Sequence, residues 1–369
     1  MPSNSPIRIL FVRPTLGQGG ADRVTVNILK YIDRKRFVPE LALMKKEGVF
    51  CTDIPGDIVV HDLGARDLYG MVWPLRNLIK SKDYDYLYST CGGAGIPLLI
   101  AALLARVKTP VIVSERNILF PPHRPKWKQW VIFWLKRYLY SKATFVTAVS
   151  EGVADEIRSK LKIPSEKIRV VNNPIITDDF NMSCLEPVDH PVFHNGKPVV
   201  LAAGRLVIQK DFPTLLRAFS KVTENHKATL FILGEGPLEG KLKGLATELG
   251  IEGEVVFGGF DKNPLRFMAR CTIYVLSSLH EGMPGTLIQA MACGAACIST
   301  DCHYGPSELI KNGLNGSLTP IGDIQSLSNC MHTLLKDRKM REGYRSRSAF
   351  AVQKFHYKEA LLSYLDFLN

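Results

Sequence analysis

SSLHEGMPGTLIQAMACGAACIST, residues 277–300, leads from the end of one short apolar run, Ile273–Leu276, through a loop of two glycines and a proline into another, Ala296–Ser299. Runs of that length, rich in β-branched residues and bounded by glycine and proline, read as strands. Glu281-Gly282-Met283-Pro284-Gly285 breaks the first run, and a helix is predicted to begin near Thr286. Strand, helix and strand in that order form the unit of a parallel sheet. A helix that starts this way presents unpaired N–H groups and the positive end of its dipole, a combination that favours a phosphate. Glu281 stands just before it with oxygens that accept from ligand hydroxyls, although Glu281 and Thr286 read equally well as caps of the helix.

Working outward, the same rhythm fills the chain. Val199–Ala203, Thr229–Leu233 and Val255–Phe257 precede the quoted stretch as strand candidates, each followed by a glycine- or proline-marked loop. In the first half, Ile7–Val12, Leu41–Met44, Tyr86–Ser89, Val111–Ser114, Phe145–Val149 and Ile168–Val171 read as strands, and helix-length segments separate most of them. Between the halves the periodicity lapses. The expected division is a first α/β domain over residues 1–180, a linker over 181–196 and a second α/β domain over 197–350. A C-terminal helix over 351–369 is expected to pack back toward the first domain. Ligands of open parallel sheets gather at the carboxyl ends of the strands, so the loops there are the places to look for chemistry.

The chain has 369 residues, enough for two domains, and its 46% hydrophobic and 22% charged residues belong to a protein that buries large cores. MPSNSPIRIL lacks the charged start and apolar core of a signal peptide, and no run is long enough to cross a bilayer, so a cytoplasmic protein is expected. Eight cysteines without regular spacing read as reduced thiols; Cys293, Cys297, Cys302 and His303 lack the paired spacing of a metal site. The net charge of +12 is uneven: residues 1–180 hold 27 Lys and Arg against 17 Asp and Glu. A basic first half suits nucleic acid, anionic lipid or a phosphorylated acceptor, and charge alone does not choose among them.

The strand Val199–Ala203 ends in Gly204-Arg205-Leu206, with Lys210 five residues past the arginine. A planar guanidinium and a compact ammonium flanking one loop suit a diphosphate whose charge grows as it leaves, although two basic residues on a loop are more commonly just solvated. Gly234-Glu235-Gly236-Pro237 follows the next strand, and its glycines permit close approach of a ligand to the backbone. Then come Glu281-Gly282-Met283-Pro284, Ala290-Met291-Ala292-Cys293-Gly294, Gly305-Pro306-Ser307-Glu308 and Asn312-Gly313. Each motif is weak alone; the succession, in order, resembles glycosyltransferase family 4. Gly19-Gly20-Ala21-Asp22-Arg23 resembles that family's acceptor-side glycine loop, which brings in Gly17, Gly19 and Gly20, and Thr147-Ala148-Val149-Ser150-Glu151 its strand-to-helix junction.

The resemblance implies a GT-B fold, two Rossmann-like domains facing each other across a cleft, and a retaining transferase that uses a nucleotide sugar and no metal or other cofactor. It implies that Arg205 and Lys210 grip the diphosphate, and that Glu281 with the N–H groups of Met283, Gly285 and Thr286 holds sugar and phosphate. Gly204, Gly234, Gly236 and Gly282 would shape that donor site. Two positions depart from the family. Where a second glutamate would bind the ribose, eight residues after Glu281, the chain has Gln289, which keeps an acceptor oxygen but no charge. After Val111–Ser114, where relatives carry a histidine, it has Glu115-Arg116-Asn117, which read either as acceptor-side contacts or as an ordinary loop ion pair.

KWKQWVIFWLKRYLY, residues 126–140, sets Trp127, Trp130, Trp134 and Tyr138 at helical spacing among lysines and an arginine. Such a helix either rests on an anionic membrane surface or packs on the first sheet. The expected activity is transfer of a hexose or N-acetylhexosamine, from a UDP-sugar in preference to a GDP-sugar, to a glycan acceptor of lipid-linked kind at the cytosolic membrane face. Rival readings are a GT-B protein that binds sugar nucleotides with weakened turnover, a phosphorylase, an epimerase, and a nucleic-acid-binding protein, the last of these not favoured by any motif.

Overall fold

The structure is a computed structural model and describes residues 5–119 and 125–368. The chain divides into two compact units, Met1–Pro174 with Ala360–Asn369, and Ile175–Glu359. The division therefore falls at Pro174, not near residue 180. The segment 181–196 belongs to the second unit, where helix Phe180–Leu185 and the short turn Pro191–Phe193 find their contacts. Phe193 packs edge-on against Phe231 and Phe267, which explains why a stretch without periodicity is still ordered.

The first unit is a seven-stranded parallel sheet in the order β3-β2-β1-β4-β5-β6-β7. Its strands are β1 (Ile7–Arg13), β2 (Phe37–Leu43), β3 (Val59–Asp62), β4 (Tyr86–Ser89), β5 (Val111–Glu115), β6 (Phe145–Ala148) and β7 (Ile168–Val170). β1 lies between β2 and β4, so the order reverses beside it, and ligands of such sheets collect at that reversal. Val59–Asp62 was not legible as a strand because it is an edge of mixed burial, with Val59 and Asp62 exposed, and lacks a buried apolar run. The terminal segment joins this unit: Tyr364 lies 6.2 Å from the ring of Tyr88, and Phe367 5.1 Å from that of Phe145.

The second unit is a six-stranded parallel sheet in the order β10-β9-β8-β11-β12-β13. Its strands are β8 (Val199–Ala203), β9 (Thr229–Leu233), β10 (Val255–Gly259), β11 (Ile273–Leu276), β12 (Ala296–Thr300) and β13 (Ser317–Thr319). β8, β9, β11 and β12 are buried along their whole length, which is why they read as continuous apolar runs instead of alternating. β8 sits between β9 and β11, the second unit's own point of reversal. A fully buried layer formed by Leu215, Leu216 and Phe219 from helix Phe212–Thr223, with Leu327 and Met331 from Ile324–Lys336, covers one face. Both halves are thus Rossmann-like, the two-domain make-up expected of a GT-B fold.

Candidate functional site

Three loops meet at the carboxyl end of the second sheet's reversal point. The loop after β8 runs Gly204–Asp211, and the loop after β9 clasps it: the Leu206 N–H donates to the Glu235 carbonyl at 2.9 Å, and the Leu238 N–H to the Leu206 carbonyl at 3.1 Å. Gly234 has φ +129, and a Cβ there would stand 2.0 Å from the Gly204 carbonyl oxygen, so only glycine lets the two loops close. The loop after β11 joins from the other side. The Leu279 N–H donates to the Gln209 carbonyl at 2.8 Å, the Gln209 side-chain amide to the His280 carbonyl at 2.9 Å, and the Ser277 hydroxyl to the Lys210 carbonyl at 2.8 Å.

That framework brings Lys210 and Glu281 together. The Lys210 Nζ lies 2.6 Å from Glu281 Oε1, and the Ser278 hydroxyl donates to the same oxygen at 2.7 Å. The Lys210 and Glu281 side chains are only 15% and 9% exposed, so their charges are mostly out of water and depend on each other. Glu281 Oε2 accepts no hydrogen bond among the described residues, and an ammonium with three donors keeps two beyond the one it gives Glu281. Arg205 is exposed, and its guanidinium has no partner among the described residues.

The helix expected after this loop spans Gly285–Ala292, with Pro284 at its N-cap position and no side chain capping it. Its first amides to pair are those of Leu287 and Ile288, both to the Pro284 carbonyl at 3.1 Å; among the described residues the N–H groups of Met283, Gly285 and Thr286 meet no backbone acceptor. These are the orphan donors of a helix start. Thr286 does not serve as the cap, and neither does Glu281, whose carboxylate is turned to Lys210. Gln289 lies half-buried one turn along. Behind the loop, Gly305 at φ +89 lies against Pro284, where a Cβ would come within 2.6 Å of the ring, so the glycine of Gly305-Pro306 lets its loop brace the helix start.

The sequence singled out Arg205, Lys210, Glu281 and the glycines around them, and the structure gathers these at one sheet end. It did not single out Ser278, Gln209 or Thr300. The Thr300 hydroxyl at the end of β12 donates to the Ser278 carbonyl at 2.6 Å and so anchors the residue that hydrogen-bonds Glu281. Short polar residues at strand ends carry no motif, and only the fold shows what they hold.

The acceptor-side candidates lie in the first unit. Gly17, Gly19 and Gly20 form the turn from β1 into helix Gly20–Tyr31. Asp22 organises it: one carboxylate oxygen accepts the Gly19 N–H at 2.9 Å, and the other pairs with buried Arg13 at 2.5 Å. Arg13 also reaches Thr25 Oγ1 at 3.1 Å and Thr90 Oγ1 at 3.3 Å, linking the ends of β1 and β4. Glu115 is buried and bonded to the Lys136 ammonium at 2.6 Å and to the Tyr140 hydroxyl. Arg116 donates to the Thr90 carbonyl, to Asn173 Oδ1 at 2.8 Å and to the Tyr364 hydroxyl at 3.1 Å. Glu115 thus sits in an internal ion pair, and Arg116 ties the end of β5 to the terminal helix. The Asn117 side chain accepts the Ile118 N–H at 2.8 Å.

The helix Lys126–Tyr140 has one buried face and one exposed face. Lys136, Leu139 and Tyr140 are buried, while Trp127, Trp130, Trp134 and Tyr138 are 67%, 65%, 49% and 63% exposed. No helix among the described residues is long and apolar enough to cross a membrane.

Known proteins place the chain. The sequence profile of Glycosyltransferase Family 4 matches residues 18–179, and that of Glycosyl transferases group 1 matches residues 189–349. The lipopolysaccharide core biosynthesis glycosyltransferase LpsE of Rhizobium meliloti is 30% identical, over 95% of this chain and 96% of its own. An N-acetylgalactosamine-N,N'-diacetylbacillosaminyl-diphospho-undecaprenol 4-alpha-N-acetylgalactosaminyltransferase of Campylobacter jejuni is 28% identical, over 92% of this chain and 93% of its own. Anabaena HepE, solved with UDP and glucose, shares the fold with a TM-score of 0.84 over 98% of this chain and 99% of its own, at 22% identity. Likeness to a transferase from one end of the chain to the other, with the two profiles falling on the two sheets in the family's order, means that this chain belongs to glycosyltransferase family 4 and is a glycosyltransferase.

Proposed function

We propose that the chain transfers a hexose or N-acetylhexosamine from UDP to a hydroxyl of a lipid-linked glycan, with retention of anomeric configuration and without a metal, in cell-surface polysaccharide or glycoconjugate synthesis. The Lys210–Glu281 pair carries the reading: a carboxylate oxygen without a partner and an ammonium with spare donors stand beside an uncapped helix start. In this reading the diphosphate lies over the Gly285 and Thr286 amides, Arg205 and Lys210 neutralise it as it departs, and Glu281 accepts from a sugar hydroxyl. The two cations take the part a metal would otherwise play. The departing diphosphate takes the proton of the acceptor hydroxyl on the same face of the sugar, as the family resemblance implies. UDP is favoured because the structurally similar Anabaena HepE was solved with it, and the lipid-linked acceptor because the Campylobacter relative is named for one.

The test is a calorimetric titration with UDP, GDP and ADP in EDTA, followed by turnover of UDP-sugars. UDP is expected to bind selectively, and Arg205→Ala to weaken it by about 10- to 100-fold, the scale of losing a charge-assisted hydrogen bond. Absence of binding by any nucleotide rejects the donor assignment. Binding without turnover favours the sugar-nucleotide-binding reading, with the uncharged Gln289 as its cause.

The acceptor class also asks for a membrane surface. Trp127, Trp130, Trp134 and Tyr138 stand exposed among Lys126, Lys128 and Arg137, indoles suited to the headgroup level and cations to lipid phosphate. The protein is therefore expected to float with phosphatidylglycerol vesicles and not with phosphatidylcholine alone, and salt is expected to weaken the association. Replacing the three tryptophans with alanine should lower partition at least about tenfold, given the apolar area removed from the interface. Equal flotation of variant and parent would remove this helix from the proposal.

A further inference from the structure

Two of the cysteines meet. Cys184, in helix Phe180–Leu185, and Cys293, at the C-terminal end of helix Gly285–Ala292, place their sulfurs 3.3 Å apart although they are 109 residues apart in sequence. Both belong to the second unit. Neither is bonded covalently: all eight cysteines are free. A disulfide needs about 2.05 Å, so the two sulfurs have little more than 1 Å to travel.

The surroundings give the two thiols different parts. Cys184 is half-buried, and Arg270 donates to the carbonyls of Cys184 and Leu185 at 2.9 and 3.1 Å, which fixes a guanidinium beside this helix end. The hydrogen bond with Cys293 holds Cys184 below the ordinary thiol range; burial opposes this, and the charge of Arg270 adds to it. Cys293 is pushed up, by its bond to Cys184 and then by burial. Cys184 is thus the thiol that ionises first, and Cys293, half-buried like it, is the one left to resolve a mixed disulfide. Cys271, Cys297 and Cys302 are buried, and burial raises each of them, as inert core thiols behave.

We propose that Cys184 and Cys293 form a redox-active dithiol, a modification site that a disulfide oxidant such as oxidised glutathione converts reversibly to an internal disulfide. The Cys184 thiolate attacks one sulfur of oxidised glutathione and expels a glutathione thiolate, leaving a mixed disulfide on Cys184. Cys293 then loses its proton to solvent and attacks the Cys184 sulfur, expelling the second glutathione thiolate. The two protein thiols give up two electrons and two protons, and one oxidised glutathione becomes two reduced ones. The new bond fastens helix Phe180–Leu185 to the far end of the helix whose N-terminus is the candidate phosphate cradle. Its formation does not depend on which nucleotide that cradle takes.

The experiment equilibrates the whole protein with oxidised glutathione, traps it in acid, unfolds it and labels the thiols that are left. Two of the eight thiols are expected to be lost, a peptide map to link Cys184 to Cys293, and dithiothreitol to restore all eight. Cys184→Ser and Cys293→Ser are each expected to abolish the linked peptide, whereas Cys51→Ser leaves it. Should a serine variant misfold, the parent protein's map decides alone. Retention of all eight thiols, a bond between another pair, or glutathione that stays on Cys184 with Cys293 free would overturn the proposal.

Discussion

Replacing Lys210 with methionine is expected to lower kcat by about 100- to 1000-fold, the range seen when one preorganised donor to developing negative charge is removed. Two effects combine in this variant. In the proposed donor site, only partly open to water, the diphosphate loses a cation, and Glu281, 9% exposed at its side chain, loses the charge that compensates its own. Breaking a buried pair from one side costs about 3–5 kcal/mol where the remaining charge stays unpaired. Glu281→Gln separates the two effects, because it keeps the shape and a carbonyl acceptor for Ser278 while removing the charge. If the pair works as a unit, Lys210→Met and Glu281→Gln together lose much less than the product of their separate losses. Initial rates with saturating donor measure this, and thermal melting reports the structural share. A lowered melting temperature with unchanged kcat would make the pair a brace and not part of the chemistry.

How far the sequence foretells this site follows from how it is built. Lys210 and Glu281 were legible because each sits beside a glycine-marked loop at the end of a buried strand, and buried strands of a parallel sheet announce themselves as apolar runs. That the two side chains touch was not legible: 71 residues separate them, and only the crossing of β8 beside β11 brings their loops together. Two of the edge strands were the hardest to read. β3 is of mixed burial and β13 is three residues long, so neither makes a buried apolar run. The segment 181–196 read as a linker because its anchors are spaced without period; Phe193 against Phe231 and Phe267 gives it a place that periodicity cannot express. On the acceptor side, Glu115 and Arg116 stood out as charges in a loop. Whether such charges face a ligand or their own fold depends on partners such as Lys136, Tyr140 and Tyr364, which lie far along the chain and are supplied only by tertiary structure.

Gly234→Ala is expected to destabilise the second unit severely, although it adds a single methyl group. The added carbon would stand 2.0 Å from the Gly204 carbonyl oxygen, and that oxygen is backbone, with no rotamer through which to retreat. The φ of +129 excludes an L side chain even without the clash. Strain of about 1–3 kcal/mol for the backbone and a similar amount for the overpacking add to a large part of the roughly 5–15 kcal/mol that keeps a domain folded. For a unit of this size the melting transition should fall by about 10 °C, read by calorimetry or by near-ultraviolet circular dichroism. Gly240→Ala is the matched control. It lies in helix Glu239–Glu248 with nothing within 4 Å of its added carbon, so the same chemical change there should be neutral or stabilise by up to about 1 kcal/mol. The contrast isolates the cause, since both variants change a glycine in the same unit and only one of them stands where two loops close. Nucleotide affinity should follow: the Gly234 variant must separate the loop that carries Arg205 and Lys210 from its neighbour, while the Gly240 variant leaves the two clasped. Equal stability of the two alanine variants would mean that the loops after β8 and β9 do not meet as closely as the hydrogen bonds between Leu206, Glu235 and Leu238 require.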